Sequence, residues 1–184
     1  MKPYFKAFYN SCRIVSLKVR KKCQIRTNGV LLLGYHTRLA IGKGARISFG
    51  RHVISDGRFT AVTGENAVLD IGDGVYFNEN VMISCQKKVT VGSGCRFGPG
   101  VKIFDNNHLF SRENGVSSEL ACGEVSIGKN CWIASNAVIL KGAQIGDNCV
   151  IGSGCIIKEK IPDGSIVTVH QELKIRQIED RERT

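Results

Sequence analysis

The sequence predicts an all-β protein built as a parallel β-helix, and three observations carry that prediction. Isoleucine recurs at every sixth residue from Ile127 through 133, 139, 145, 151 and 157. Small residues recur at the fifth place of successive hexads, as Cys131, Ala137, Ala143, Cys149 and Cys155. The chain has 21 glycines and only 3 prolines, which marks a backbone that turns often and regularly rather than a loose linker. A period of six is neither helical nor a two-residue strand alternation sustained along one direction, so the pattern is a hexapeptide repeat.

Each hexad reads as one short extended side of a triangular coil. The isoleucine points in, and the small residue fits where the interior narrows. Glycine and asparagine fall at the corners (Gly128, Asn130, Gly142, Gly146, Asn148, Gly152 and Gly154), where tight turns favour residues that tolerate positive φ. Three hexads close a coil, and coils stack about 4.8 Å apart. The same frame runs upstream through VGSGCR, FGPGVK and IFDNNH, starting at Val91, Phe97 and Ile103. Beyond a two-residue slip at Lys87–Thr90 it continues at Ile71, Phe77 and Ile83, preceded by Val53, Phe59, Ile41 and Ile47. Stacking predicts one inner column of Phe59, Phe77, Phe97, Ile133 and Ile151 and another of Cys95, Cys131 and Cys149. Neighbours in the cysteine column are close enough for a disulfide by distance alone; the alternative is a ladder of buried reduced thiols acting as small hydrophobes. The GxG strings at 42, 72, 92 and 152 sit on corners and read as turns, not as a nucleotide loop.

Residues 109–126, LFSRENGVSSELACGEVS, fit no hexad, yet the frame resumes unchanged afterwards. A closed coil loses and regains register this way by expelling the insert from one corner, so a protruding loop is expected over about 104–126 with His108 at its base. The domain reading is a basic amphipathic element over 1–26, the β-helix over 27–168 and a charged C-terminal helix over 169–184. That last helix would cover the open final coil with Leu173, Ile175 and Ile178 inward. In the first element Tyr4, Phe5, Phe8 and Tyr9 mix with Lys and Arg, which suits either packing on the domain or resting on a membrane surface.

At 184 residues the chain can bury one substantial core. A formal net charge of +10 favours an anionic partner: a phosphorylated ligand, nucleic acid or an acidic lipid surface. Nucleic acid is the weakest of these, because zinc-finger spacing, RNP-like aromatic motifs and a basic helix long enough for a groove are all missing. Eight cysteines without a CxxC pair, and an N-terminus without a signal-peptide apolar run, point to a reducing cytoplasm. No segment approaches the ~18 apolar residues of a membrane span.

The repeats, followed by Asp105-Asn-Asn-His108 and then by GKNCWIASNAVI, resemble the hexapeptide-repeat acyltransferases. The likeness covers roughly 65–165 and is closest to the maltose and galactoside acetyltransferases and the capsule and colanic-acid O-acetyltransferases. It implies a left-handed β-helix, an exception to the usual right-handed crossover, assembled as a homotrimer with active sites between subunits. It also implies acetyl-CoA as co-substrate and direct transfer to a sugar hydroxyl, in surface polysaccharide synthesis. His108 matches the family's catalytic histidine, and a neutral imidazole near pH 7 suits removal of a hydroxyl proton. Asp105 either orients that imidazole or caps its turn. Asn78 aligns with the acceptor-contacting asparagine, where an amide can hold a hydroxyl or a developing oxyanion, and Asn80 competes for the role. Trp132 reads as a wall of the acceptor or pantetheine channel or as a residue buried by trimer packing. Ser135 matches the position whose backbone N–H faces the thioester, and Ser153 joins it as a cofactor-binding candidate. Lys158 and Lys160 stand where the family binds the CoA phosphates, although this chain has Lys-Glu-Lys where relatives read Thr-Lys-Asp. Thiol catalysis is disfavoured, because the cysteines sit at inward positions.

Two other readings share the scaffold: N-acylation of an amino-sugar nucleotide, and a non-catalytic β-helix. A carbonic anhydrase of the γ type needs three interface histidines around zinc, and only His108 lies in the loop region, with His36, His52 and His170 in distant coils. No metal requirement is expected. The acceptor class stays open among free, nucleotide-linked and lipid-linked sugars, the last placing the enzyme at the inner face of the membrane.

Overall fold

The computed structural model describes residues 3–21, 24–170 and 174–175. Three parallel sheets form the sides of a prism. The first has seven strands from Gln24–Thr27 to Lys160–Ile161, the second seven from Leu31–Leu32 to Ile166–Val167, and the third six from Arg38–Ala40 to Ile156–Ile157. Each strand pairs with the strand one coil on, and the coil shortens along the chain. Gln24 lies beside Arg46, 22 residues on, Val68 beside Lys88, 20 on, Ser126 beside Gln144, 18 on, and Gln144 beside Lys160, 16 on. The wide coils have longer sides with two inward residues, such as Ile47 with Phe49 and Leu69 with Ile71. The hexad coils have one per short strand, such as Ile145.

That change of coil length corrects one expected column. With 22 residues per coil, Ser55 and not Phe59 stands over Phe77, and the inner column reads Ser55, Phe77, Phe97, Ile133, Ile151. Phe59 belongs to the third sheet beside Val81. Its ring still reaches across the corner to stack on Phe77 at 4.5 Å between centroids, and Phe77 in turn stacks on Phe97 at 5.0 Å.

The corners divide into two physical kinds. Some take a left-handed backbone, as Asn148 does at φ 57. Others need room: a Cβ on Gly128 would stand 2.5 Å from the Gly146 carbonyl carbon of the next coil. Cys95, Cys131 and Cys149 stack as expected, and each thiol donates to a carbonyl of the following coil, at 3.0, 3.0 and 3.1 Å. The seven described cysteines are free.

The expelled segment is more ordered than a loop. Asn106–Ser111 and Gly115–Cys122 pair antiparallel as a hairpin that leaves the corner between the third and first sheets, with an irregularity between His108 and Phe110. At the other end of the sequence, Pro3–Lys21 is a helix of 19 residues. Its Ile14 joins the core and Leu17 packs against it. The Asn10 side-chain amide donates to the Leu33 carbonyl at 3.0 Å, and the Lys6 ammonium to the Ser55 carbonyl at 2.7 Å. The expected C-terminal helix falls largely outside the described residues, as do Leu173 and Ile178. Ile175 is not inward but 88% exposed, beyond the last strand of the coils, which ends at Val167.

Candidate active site

The hairpin is held at its base by a buried carboxylate. Asp105 is fully buried, and its oxygens accept the backbone N–H groups of Gln86, Lys87 and Lys88 at 2.7, 2.7 and 2.9 Å, together with the Asn106 amide at 2.9 Å. Three converging amides satisfy a charge that would otherwise be costly to bury. Asp105 therefore caps the turn at 86–88, and its carboxylate is occupied there instead of orienting the imidazole. At the rim of the same corner, Glu124 lies 3.4 Å from Lys87 and 3.5 Å from Lys88, and the Lys87 hydrogen bond draws its carboxyl below the usual range.

His108 stands on the first hairpin strand, opposite Leu120, and is exposed. Its Nδ1 lies 3.0 Å from the Ser117 carbonyl oxygen. A carbonyl can only accept, so in the neutral ring this contact places the proton on Nδ1 and leaves the Nε2 lone pair free. The residue that orients the ring is thus a backbone carbonyl, which no pattern of residue types could reveal. Beside it, Leu109, Phe110, Ser111, Asn114, Gly115, Ser117 and Glu119 line an open cavity of about 530 Å³ on the hairpin. Phe110 and Val116 are 81% and 73% exposed there. The break in the repeat marked this segment in the sequence, but its pairing as a hairpin was not visible there.

The remaining candidates fall on a different edge of the prism. Asn78, Glu79 and Asn80 make the corner between the second and third sheets, and successive coils place Gly98–Gly100, Ala134–Asn136 and Gly152–Gly154 under them. The bonds Gly100 N–H to Glu79 O, Asn136 N–H to Pro99 O and Gly154 N–H to Ser135 O tie this column together at 2.9, 2.9 and 3.0 Å. Asn78, Ser135 and Ser153 share that edge, with Asn78 and Ser135 half-buried and Ser153 exposed. The Asn78 side-chain oxygen accepts the Glu79 N–H at 2.7 Å. Asn80 takes the left-handed corner at φ 58, so the turn accounts for its residue type. Trp132 is 55% exposed on the outer face of the second sheet, between Arg96 and Val150.

Lys158 and Lys160 are exposed and lie near the corner between the third and first sheets, on the same edge as the hairpin. Within one chain the candidates therefore separate into two sets: His108 with Lys158 and Lys160 on one edge, and Asn78, Ser135 and Ser153 on another with Trp132 on the adjoining face. Among the cysteines, burial first and then the Asp105 charge push Cys85 up to about 12. The neighbouring Cys95 and Cys131 thiols act on each other, which pushes Cys95 up and draws Cys131 down. Cys131 is nevertheless buried inside the prism. The described residues contain no group of three or more His, Cys, Asp or Glu arranged to hold a metal.

The family model described as bacterial transferase hexapeptide (six repeats) matches residues 124–159. Over 172 residues the chain is 28% identical to WbbJ of Escherichia coli (strain K12), provisionally named a lipopolysaccharide biosynthesis O-acetyl transferase, with 88% of this chain and 77% of that one covered. Over 135 residues it is 33% identical to the galactoside O-acetyltransferase of the same strain, covering 67% of this chain and 66% of the relative, so it spans just under two thirds of that protein. Among solved structures, the N-acyltransferase AntD of Bacillus cereus, in complex with dTDP-4-amino-4,6-dideoxyglucose and coenzyme A, aligns with a TM-score of 0.61 at 14% identity, over 90% of this chain and 89% of AntD. The hexapeptide-repeat acetyltransferase VCA0836 of Vibrio cholerae, complexed with acetyl-coenzyme A, aligns at 0.51 and 16% identity, over 85% and 71%. At those identities the structural likeness speaks for the fold, a left-handed parallel β-helix. Repeat register, family model and sequence relatives agree: the chain carries the bacterial transferase hexapeptide repeat and is similar to the hexapeptide-repeat acyltransferases.

Proposed function

We propose that this chain is a cytoplasmic, acetyl-CoA-dependent O-acetyltransferase that acts on a sugar hydroxyl in surface polysaccharide synthesis, with His108 as general base and its active sites between the subunits of a homotrimer. The observation that carries the reading is the His108 ring. Its Nδ1 is tied to the Ser117 carbonyl at 3.0 Å, which leaves Nε2 of an exposed ring free on the hairpin.

In this mechanism Nε2 takes the hydroxyl proton as the sugar oxygen attacks the thioester carbonyl carbon. The Nδ1–H bond to Ser117 holds the ring in place while it carries positive charge. The Asn78 amide nitrogen and the Ser135 backbone N–H meet the acceptor hydroxyl and the developing oxyanion. When the C–S bond breaks, the imidazolium returns its proton to the sulfur, so an O-acetyl ester and free CoA leave and no acyl-enzyme forms. Trp132 and the second-sheet face flank the acceptor, Ser153 lines the pantetheine path, and Lys158 and Lys160 meet the CoA phosphates as point charges. The separation of His108 from Asn78 and Ser135 on two edges of one prism supports the trimer, since only a neighbour's edge can complete the constellation.

An O-acceptor is favoured over an amine because the sequence relatives at 28% and 33% identity are named O-acetyl transferases, whereas the N-acyltransferase likeness is at 14%. The test is mass spectrometry of products from a panel of free, nucleotide-linked and lipid-linked sugars and amino sugars supplied with acetyl-CoA. A gain of one acetyl group on oxygen is expected, with kcat lowered about 10²- to 10⁴-fold in His108→Ala. Unchanged turnover in that variant removes His108 from the role of base, and products acetylated only on nitrogen overturn the O-acceptor.

A further inference from the structure

The helix Pro3–Lys21 has two opposed faces, and the one directed away from the prism is the unusual one. Lys6, Asn10, Arg13, Ile14 and Leu17 lie on one side at helical spacing and are engaged with the first coils: Asn10 on the Leu33 carbonyl, Lys6 on Ser55, Arg13 on Thr37, and Ile14 in the core. The opposite stripe runs through Tyr4, Phe5, Phe8, Cys12 and Val15, with Tyr9 at its margin. Tyr4 is 82% exposed, Phe5 65%, Phe8 71% and Val15 60%. A helix whose only task is to cover a coil carries polar residues on that outer face.

Charge supplies the second observation. Before Asp56 the sequence has twelve Lys and Arg and not one Asp or Glu, whereas the rest of the chain has slightly more acids than bases. The whole net charge of +10 therefore comes from the helix and the first coil and a half. Exposed aromatic side chains on a strongly basic N-terminal part of the chain fit the headgroup region of an anionic bilayer: rings enter the interface, and cations meet lipid phosphates at its surface. No helix among the described residues is long and apolar enough to cross a membrane, which leaves a helix lying in the interface.

We infer that the outer face of this N-terminal helix docks the protein on an anionic membrane surface. The inference stands apart from the acyl-transfer reading, since it uses none of the site residues. Together the two have a geometric consequence: Asn78 lies two coils below the first, about 10 Å at ~4.8 Å per coil. A saccharide on a membrane-held carrier would thus need to extend only a short way to reach it.

The experiment is co-sedimentation of the full-length protein with phosphatidylcholine vesicles prepared with and without phosphatidylglycerol, at low and high salt. Binding is expected only with phosphatidylglycerol and is expected to weaken as salt screens the charges. The double substitution Phe5→Ser with Phe8→Ser is expected to weaken it roughly 10- to 100-fold. Circular dichroism and acetyl transfer to a soluble acceptor should stay unchanged, because both rings are already exposed. Failure of the unaltered protein to sediment, or equal binding by the variant, overturns the inference. So does a loss of oligomeric mass in light scattering on substitution, which would assign this face to a second copy of the chain.

Discussion

Asp105 and His108 stand three residues apart and have opposite physical situations. The carboxylate is fully buried and committed to three backbone amides, while the imidazole is exposed and has one nitrogen free. Removing the Asp105 side chain leaves those donors without a partner in a buried corner, at a cost of about 2–4 kcal/mol. Asp105→Ala is therefore expected to lower the urea midpoint markedly, yet to reduce kcat by less than about tenfold, far below the loss proposed for a missing general base. An unchanged midpoint with a rate loss as deep as that of His108→Ala would return Asp105 to the imidazole. The histidine itself was legible in the sequence because it sits where the repeat breaks. Its partner was not, since the Ser117 carbonyl belongs to the backbone and any residue would supply it.

At the scale of elements, the coils differ in how openly their sequence declares them. From Ile127 to Ile157 each side is one hexad with one inward isoleucine, and residue spacing alone gives the register. Upstream, sides with two inward residues lengthen the coil to 20 and 22 residues. The inward alternation survives, but counting in sixes drifts, which puts Phe59 in the wrong sheet and leaves Phe77 and Phe97 in the right one. The hairpin escaped in a similar way: its strand Asn106–Ser111 has no buried face, so no alternation of apolar and polar residues marked it. The aromatic stack is where the wide coils hold together. Phe77 lies between Phe59 at 4.5 Å and Phe97 at 5.0 Å and is fully buried. Phe77→Ala is expected to cost about 3–5 kcal/mol, because coils fixed by hydrogen bonds above and below cannot collapse into the gap. A loss under about 1 kcal/mol in denaturant unfolding would mean that the column repacks, against the rigidity assigned to stacked coils.

At the scale of the molecule, the constellation is split between two edges of one prism, and that split has a consequence for mixed assemblies. In the proposed three-fold ring every interface is the same heterologous contact, with one subunit giving its hairpin edge and the next its Asn78 edge. His108→Ala spoils only the first contribution and Asn78→Ala only the second. When the two variants, each of low activity alone, are unfolded and refolded together at equal amounts, random assembly leaves about a quarter of interfaces with both wild-type contributions. Activity per chain should accordingly rise toward about a quarter of the unaltered enzyme's, while mixing the folded variants without dissociation should give nothing. Were both residues to act from the same chain, every site would lack one of them and refolding would recover no activity, so the assay reads the subunit origin of the base and the amide directly. The hairpin favours the first outcome: Phe110 and Val116 are 81% and 73% exposed on a protruding strand pair, apolar surface of a kind that a neighbouring subunit would cover.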